Sequence, residues 1–211
     1  GYLPEAMINF LALLGWSLDD HTSILSIDEL KQHFDLARVV ANPAVFDIDR
    51  LNFLNGHYIR EMEDARWRQT ITDWCERDLP VSVKRPIDPA VVESVAPLLK
   101  ERTAKLADIA PMVEFLFSYD APEFPVEMLV ERVGDAATAV RVLDVALTSL
   151  DTVAETDWTV ANIEAAIRGM EGPLEMKLRK FVPVLYVAEM GRPQGIPLFD
   201  SIVLLGRERA L

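Results

Sequence analysis

The chain has 211 residues, half of them hydrophobic, and 34 acids against 21 Lys and Arg, for a net charge of −13. That length buries one sizeable core or two modest ones, and the apolar content excludes a disordered chain. No apolar run approaches the ~20 residues that span a bilayer, and no basic-then-apolar leader opens the chain.

Gly1–Trp16 opens with Pro4 and Glu5, suited to a first helical turn, followed by Met7, Phe10, Leu11 and Leu14 at i, i+3, i+4, i+7. Ile8, Ala12 and Leu13 widen the apolar surface, so this helix is expected to be buried on most sides, with Gly15 as its left-handed cap. A polar loop, 17–23, precedes a capping box at Ser26–Glu29 that starts a helix bearing Ile27, Leu30 and Phe34. Pro43 interrupts. Asp47 or Asp49 then caps a short helix with Ile48, Leu51 and Leu54, with Gly56 near its end.

A longer helix over about 61–78 places Trp67, Ile71, Trp74 and Cys75 along one side, which points to core packing for the single cysteine. One cysteine excludes an internal disulfide and fits a reducing cytosol. After a loop at 79–86, Asp88-Pro89 caps a helix with Val92, Val95 and Leu99 that Pro97 kinks or divides. Residues 106–117 read as helix broken near Pro111, and 118–125, with Pro122 and Pro125, is the best boundary. Asp135 then caps a helix bearing Ala136, Val140, Leu143, Leu147 and Leu150. Thr159 caps one bearing Val160, Ile163, Ile167 and Met170. Gly172-Pro173 punctuates, a helix runs through Met190, a Gly/Pro-rich loop spans 191–197, and a final helix is cut off at Leu211. No period-two alternation is sustained, so the chain reads as all-α.

Three blocks carry a resemblance. Leu-Pro-Glu-Ala-x-x-Asn-Phe-Leu-Ala-Leu-Leu-Gly-Trp-Ser starts at Leu3, and Phe34-Asp35-Leu36 leads through Pro43–Asp47 to Leu54-Asn-Gly-His-Tyr-Ile-Arg60. Pro197-Leu-Phe-Asp200 leads to Leu204-Leu-Gly-Arg-Glu-Arg209. In this order they resemble bacterial-type glutamyl-tRNA synthetases, in the part after the Lys-Met-Ser-Lys-Ser-type loop. The resemblance implies a stem-contacting helical subdomain (1–60), then cage-like anticodon-binding helical subdomains at 61–120 and 121–211. The chain does not begin with Met and is expected to be a fragment or a processed product. The parent would attach glutamate to tRNA(Glu) with ATP and Mg. This chain has neither a His-Ile-Gly-His-type signature nor the Lys-Met-Ser-Lys-Ser-type loop. It is therefore expected to be inactive alone and to hold no cofactor.

The three histidines, His21, His33 and His57, are scattered, with no metal-ligand spacing. By resemblance, Arg102 stands where discriminating members read the third anticodon base; a guanidinium fork suits that task, and the other reading is a solvated helix-end arginine. Tyr186 replaces an arginine that, with the following loop, contacts the first two bases. It can stack on a splayed base or be an amphipathic core residue. Leu198 matches a base-packing leucine or serves the core, and Gly191 and Gly195 are expected backbone requirements of the loop. Arg60, Lys100 and Arg192 are candidates for the tRNA backbone, with a structural ion pair as the other reading of Arg60.

The acidic charge counts against tight, autonomous RNA binding. It leaves room for local basic faces, and Lys100, Arg102 and Lys105 cluster, as do Lys177, Arg179, Lys180 and Arg192. The expectation is a monomeric, cytoplasmic partner of tRNA(Glu) that engages neither DNA nor membrane. A helical protein-interaction module is the competing reading.

Overall fold

A computed structural model describes residues 1–40, 45–118 and 121–211, and among them there is no strand. The helices form two compact units, one of residues 1–78 with 87–110, the other of 79–86 with 111–211. The break expected from Pro43 lies outside the described residues, as do Tyr119 and Asp120 of the expected boundary.

The first unit holds α1 (Pro4–Ala12), α2 (Ile27–His33), α3 (Ile48–Arg60), α4 (Asp64–Asp78) and α5 (Pro89–Lys100). Its caps follow the sequence: Ser26 and Glu29 close a full capping box, Asp47 accepts from the Arg50 N–H, and Asp88 accepts from Ala90 ahead of Pro89. Pro97 sits inside α5 without dividing it. The α1 expectation needs correcting. Ala6, Asn9 and Phe10 form the buried face, whereas Ile8 and Leu11 are 45% and 51% exposed. The apolar pattern runs further round the helix than the contacts do. Nor does Gly15 adopt a left-handed cap: an added Cβ there would meet Val39 Cγ1 at 3.2 Å, and its carbonyl accepts from the Val40 N–H. Its smallness admits residues 39–40 alongside it.

Three polar side chains tie this unit together. The buried Asn55 accepts from the Leu3 N–H at 2.7 Å and donates to the Ala104 carbonyl at 2.6 Å, joining α3 to the entry of α1 and to the turn after α5. The buried Asn9 accepts from the Leu25 N–H at 3.0 Å. The Tyr58 hydroxyl lies 2.9 Å from Asn9 Oδ1 and 2.6 Å from the Leu25 carbonyl. Burial pushes that phenol up from its usual range. Trp67 donates to the Ala96 carbonyl at 2.8 Å, locking α4 to α5 around the buried Ile71 and Cys75.

α6 (Ile109–Phe117) starts just before Pro111, so the proline occupies its first turn and the expected break lies ahead of it, at 106–108. The second unit continues with α7 (Glu127–Val133), α8 (Ala136–Asp151), α9 (Val160–Gly169), α10 (Glu171–Leu174), α11 (Leu178–Met190), α12 (Leu198–Leu205) and α13 (Arg207–Ala210). α11 packs on α7 and α8, and α9 packs on α8 and α12. Asp135 and Thr159 cap as expected. The buried stripe of α8 is Ala139, Val142, Ala146 and Leu150, whereas Val140 and Leu147 are exposed. Small residues face inward because close helix approach leaves no room for longer ones. Trp158 donates to the Ile202 carbonyl, and Arg209 donates to the carbonyls of Phe115, Leu116 and Ser118, fastening the end of the chain to α6.

Candidate nucleic-acid interface

In the first unit the expected cations converge on the turn that follows α5. Arg102 is exposed there, its N–H bonded to the Leu99 carbonyl. Thr103 is buried, its hydroxyl donating to the same carbonyl at 2.8 Å. Arg60, half-buried at the end of α3, lies across Gly56: a Cβ on that glycine would meet Arg60 Nη1 at 3.2 Å and the Thr103 carbonyl at 3.7 Å. Gly56 lies in the last turns of α3, as expected, and is buried there beside the Thr103 carbonyl. Among the described residues Arg60 has no ion-pair partner, so its positive charge stays uncompensated beside the Arg102 turn.

Lys100 behaves differently. Its ammonium sits 2.6 Å from Asp64, with the side chain only 18% exposed, and the pair holds that carboxyl below its usual range. This contact ties the end of α5 to the start of α4. Lys105 lies 3.8 Å from Asp108.

In the second unit Tyr186, Gly191, Gly195 and Leu198 come together around the loop between α11 and α12. The Tyr186 hydroxyl accepts from the Leu198 N–H at 3.1 Å, the first amide of α12, and so fastens the far end of the loop. The Leu198 side chain is buried. Gly191 ends α11 at φ +69°, where a side chain would also press on Pro122 Cβ at 3.0 Å. At Gly195 a Cβ would strike Met190 Sδ at 2.7 Å. Arg192 is half-buried in this loop, with no ion-pair partner among the described residues. Lys177, Arg179 and Lys180 do not join it. They lie at the opposite end of α11, a 13-residue helix about 20 Å long.

Several residues escaped sequence reasoning. Asn9, Asn55 and Tyr58 stand inside the quoted blocks, but a buried amide is invisible to a hydrophobic pattern. Glu189 interrupts the apolar run 184–190 and borders a cleft of about 530 Å³ lined by Phe115, Pro122, Ala188, Leu205 and Arg209. It keeps some exposed surface, yet its carboxyl is set deep enough that desolvation pushes its pKa up to about 8, against the opposing pull of Arg209. Among the described residues no three His, Cys, Asp or Glu are grouped to hold a metal ion, and no helix is long and apolar enough to cross a membrane.

The family model described as anticodon binding domain matches residues 63–211, and that of the class I tRNA synthetase (E and Q) catalytic domain matches 1–53. A glutamate–tRNA ligase of Acidothermus cellulolyticus is 38% identical over all of this chain, which spans 42% of that protein. One from Saccharophagus degradans is 35% identical over 99% of this chain and 39% of its own length. The chain thus spans about two-fifths of the curated relatives it matches. A crystal structure of a glutamate tRNA ligase from Elizabethkingia meningosepticum, in complex with its amino acid, superposes on the whole chain and 40% of its own, with a TM-score of 0.72 and 26% identity.

Proposed function

The chain belongs to the anticodon-binding domain family, in the form carried by glutamate–tRNA ligases, and on that premise we propose that it recognises the anticodon arm of tRNA(Glu). The enzyme it serves joins glutamate to that tRNA with ATP and Mg. Activation and transfer belong to a catalytic body of which this chain matches only the 1–53 portion. On its own the chain carries out neither step. It works in the cytoplasm as a monomer, with 1–60 on the stem and 61–120 and 121–211 on the anticodon.

What supports the reading most is the pair of arginines beside the turn after α5: exposed Arg102 on the turn, and Arg60 at the end of α3, with no ion-pair partner among the described residues. Arg102 reads the third anticodon base through its planar fork, and Arg60 neutralises the adjoining backbone. Lys100 contributes to the backbone field while tethered to Asp64, and Arg192 does so from its loop. The loop that carries Gly191 and Gly195 contacts the first two bases, with the buried Leu198 anchoring its far end from the core side. Tyr186 shapes that loop through its hydroxyl and offers at most its ring edge to a base. A second reading, docking on a protein surface, is favoured by the apolar cleft of about 510 Å³ lined by Ile8, Leu11, Ile27, Leu30 and Phe34.

Titration of the 211-residue chain with labelled tRNA(Glu) and a third-position anticodon variant tests the proposal. Wild type is expected to prefer the cognate anticodon, and Arg102→Ala to shrink that preference by the ~1–3 kcal/mol of a lost base contact, roughly five- to a hundredfold. Arg102→Lys should keep most affinity and lose the discrimination. Equal affinity of wild type for both anticodons would sink the reading. An unchanged ratio in Arg102→Ala would remove that residue alone.

A further inference from the structure

The two units carry their charge differently from what the −13 total suggests. In the second, Arg132 at the end of α7 meets Lys177, Arg179 and Lys180 at the start of α11 around a cleft of about 520 Å³, floored by Val133 and Met176. Among the described residues Glu175 is the only acid lining it. This unit has eleven cations and sixteen acids, so the cleft leaves seven cations and fifteen acids for the rest of it. Cations so segregated on an acidic body focus a local positive field.

These cations are also unspent. Elsewhere in the unit most arginines are occupied, Arg192 aside: Arg207 with Asp151, Arg168 with Glu164, Arg141 with the Pro173 carbonyl, Arg209 with three carbonyls. Arg132, Arg179 and Lys180 have no ion-pair partner among the described residues, and the Lys177–Glu171 approach is a loose 3.6 Å between exposed side chains. Surface cations that serve stability are commonly found against acids; here, among the described residues, Glu175 alone lines the cleft and Glu171 beside it engages Lys177 and the Leu178 N–H, which leaves Arg132, Arg179 and Lys180 unmatched.

We infer that this cleft seats the phosphodiester backbone of the RNA, two or more consecutive phosphates lying between α7 and the first turn of α11. The inference rests on the tRNA reading above and deepens it. Four long flexible cations with no planar stacking partner and only a two-residue apolar floor suit phosphate oxygens and offer a base edge nothing specific. α11 then spans two tasks: its last residue leads into the Gly191–Pro197 loop, and its first turn, about 20 Å away, grips backbone. The cleft sets affinity and salt dependence, and leaves discrimination between anticodons to other residues.

The test uses the full chain and the same two labelled tRNAs, titrated from low to moderate salt. Arg179→Ala/Lys180→Ala is expected to weaken both tRNAs by the same factor and to make log K against log salt shallower by about 1.4–1.8 for two lost phosphates. Glu175→Gln, which removes the acid that lines the cleft, is expected to tighten both. Because these side chains are exposed, helical circular dichroism should match wild type. A wild-type slope retained by the double variant, or no tightening with Glu175→Gln, overturns the cleft while wild-type anticodon preference shows that the tRNA reading survives. A selective loss on one tRNA overturns it too, because that is base reading. Absence of any anticodon preference in wild type is the separate failure of the reading beneath it. Retention of the RNA slope together with binding of the wild-type cleft to anionic vesicles or to a phosphopeptide would assign it to another ligand and overturn the RNA seat.

Discussion

Where helices of the first unit meet, buried amides join the aliphatic contacts; in the second, aliphatic side chains do almost all of it. Asn9, Asn55 and Thr103 are all buried in the first, against Ser201 alone in the second, among the described residues. Both units stack aliphatic side chains without exposed area, Leu54, Ile59, Ile71 and Leu99 in the first and Val142, Ile163, Ile167 and Val184 in the second, so the buried amides are what the first adds. Their outer surfaces differ as well. Ile8, Leu11, Phe34, Leu36, Phe46 and Phe53 leave the first unit with apolar side chains in the open, whereas Val126, Val140, Leu147 and Val160 in the second are scattered singly. Directional bonds specify one geometry and tolerate little change; methyl packing is less particular about which residue fills a place.

The largest expected effect follows from the amides. Asn55→Ala leaves the Leu3 N–H and the Ala104 carbonyl unpaired in the interior, at ~1–3 kcal/mol each, so a loss of about 3 kcal/mol is expected. For a chain of this size that lowers Tm by roughly 6–12 °C. Leu→Val changes in the second unit should cost far less. Thermal unfolding checks both, and a drop below about 3 °C for Asn55→Ala would show that the amides do not hold the first unit.

A smaller effect sharpens the contrast from the other side. Among its described residues the second unit has one strongly perturbed acid, Glu189, and places it at a cleft, with its pKa raised from the ordinary 4.5 to about 8. An acid with a raised folded-state pKa holds its proton better in the native chain. Its favourable contribution is therefore complete below about pH 4.5 and is lost as pH rises through 8. Glu189→Gln should remove that slope, so that the variant gains on wild type by at least ~1 kcal/mol, about 2–4 °C in Tm, between pH 5 and 9. Parallel Tm-against-pH curves for the two would mean that the carboxylate is solvated at all pH values and that the cleft is wetter than its geometry.

How far the sequence revealed this varies with the kind of interaction. Caps were readable because a Ser, Asp or Thr at a helix start has a local partner two or three residues on, as Ser26, Asp47, Asp88, Asp135 and Thr159 all do. Faces were less so. On α8 the expected stripe took Val140 and Leu147, since hydrophobicity favours the larger side chains, while close packing selects Ala139 and Ala146. Cross-links between distant positions, such as Asn55 to Ala104 or Tyr186 to Leu198, left no pattern of their own. The candidate interface was legible as residue types, and Arg102 and Tyr186 were named from it. That Lys177, Arg179 and Lys180 face Arg132 and not Arg192 needed the length of α11 and its packing on α7.

The smallest expected effect concerns the open face of α1, and it bears most directly on the comparison. Leu11 is 51% exposed and Phe10, its neighbour, 1% exposed. Lys has nearly the helix propensity of Leu, so Leu11→Lys in this chain should change stability by less than about 0.5 kcal/mol. Phe10→Ala on the same helix should cost ~3–5 kcal/mol, because its ring packs with Leu51, Leu54 and the edge of Phe46. Two residues one position apart, of equal apolar character in the sequence, would then differ about tenfold in what they contribute. If Leu11→Lys instead costs as much as Phe10→Ala, this face is covered in solution. Repeating the melt at several protein concentrations then tells by what: a cost that grows with concentration indicates a second copy of the chain, and a constant one indicates burial within the chain itself. A cost near zero leaves α1 as a helix with one face satisfied and one face open, the asymmetry that the second unit lacks.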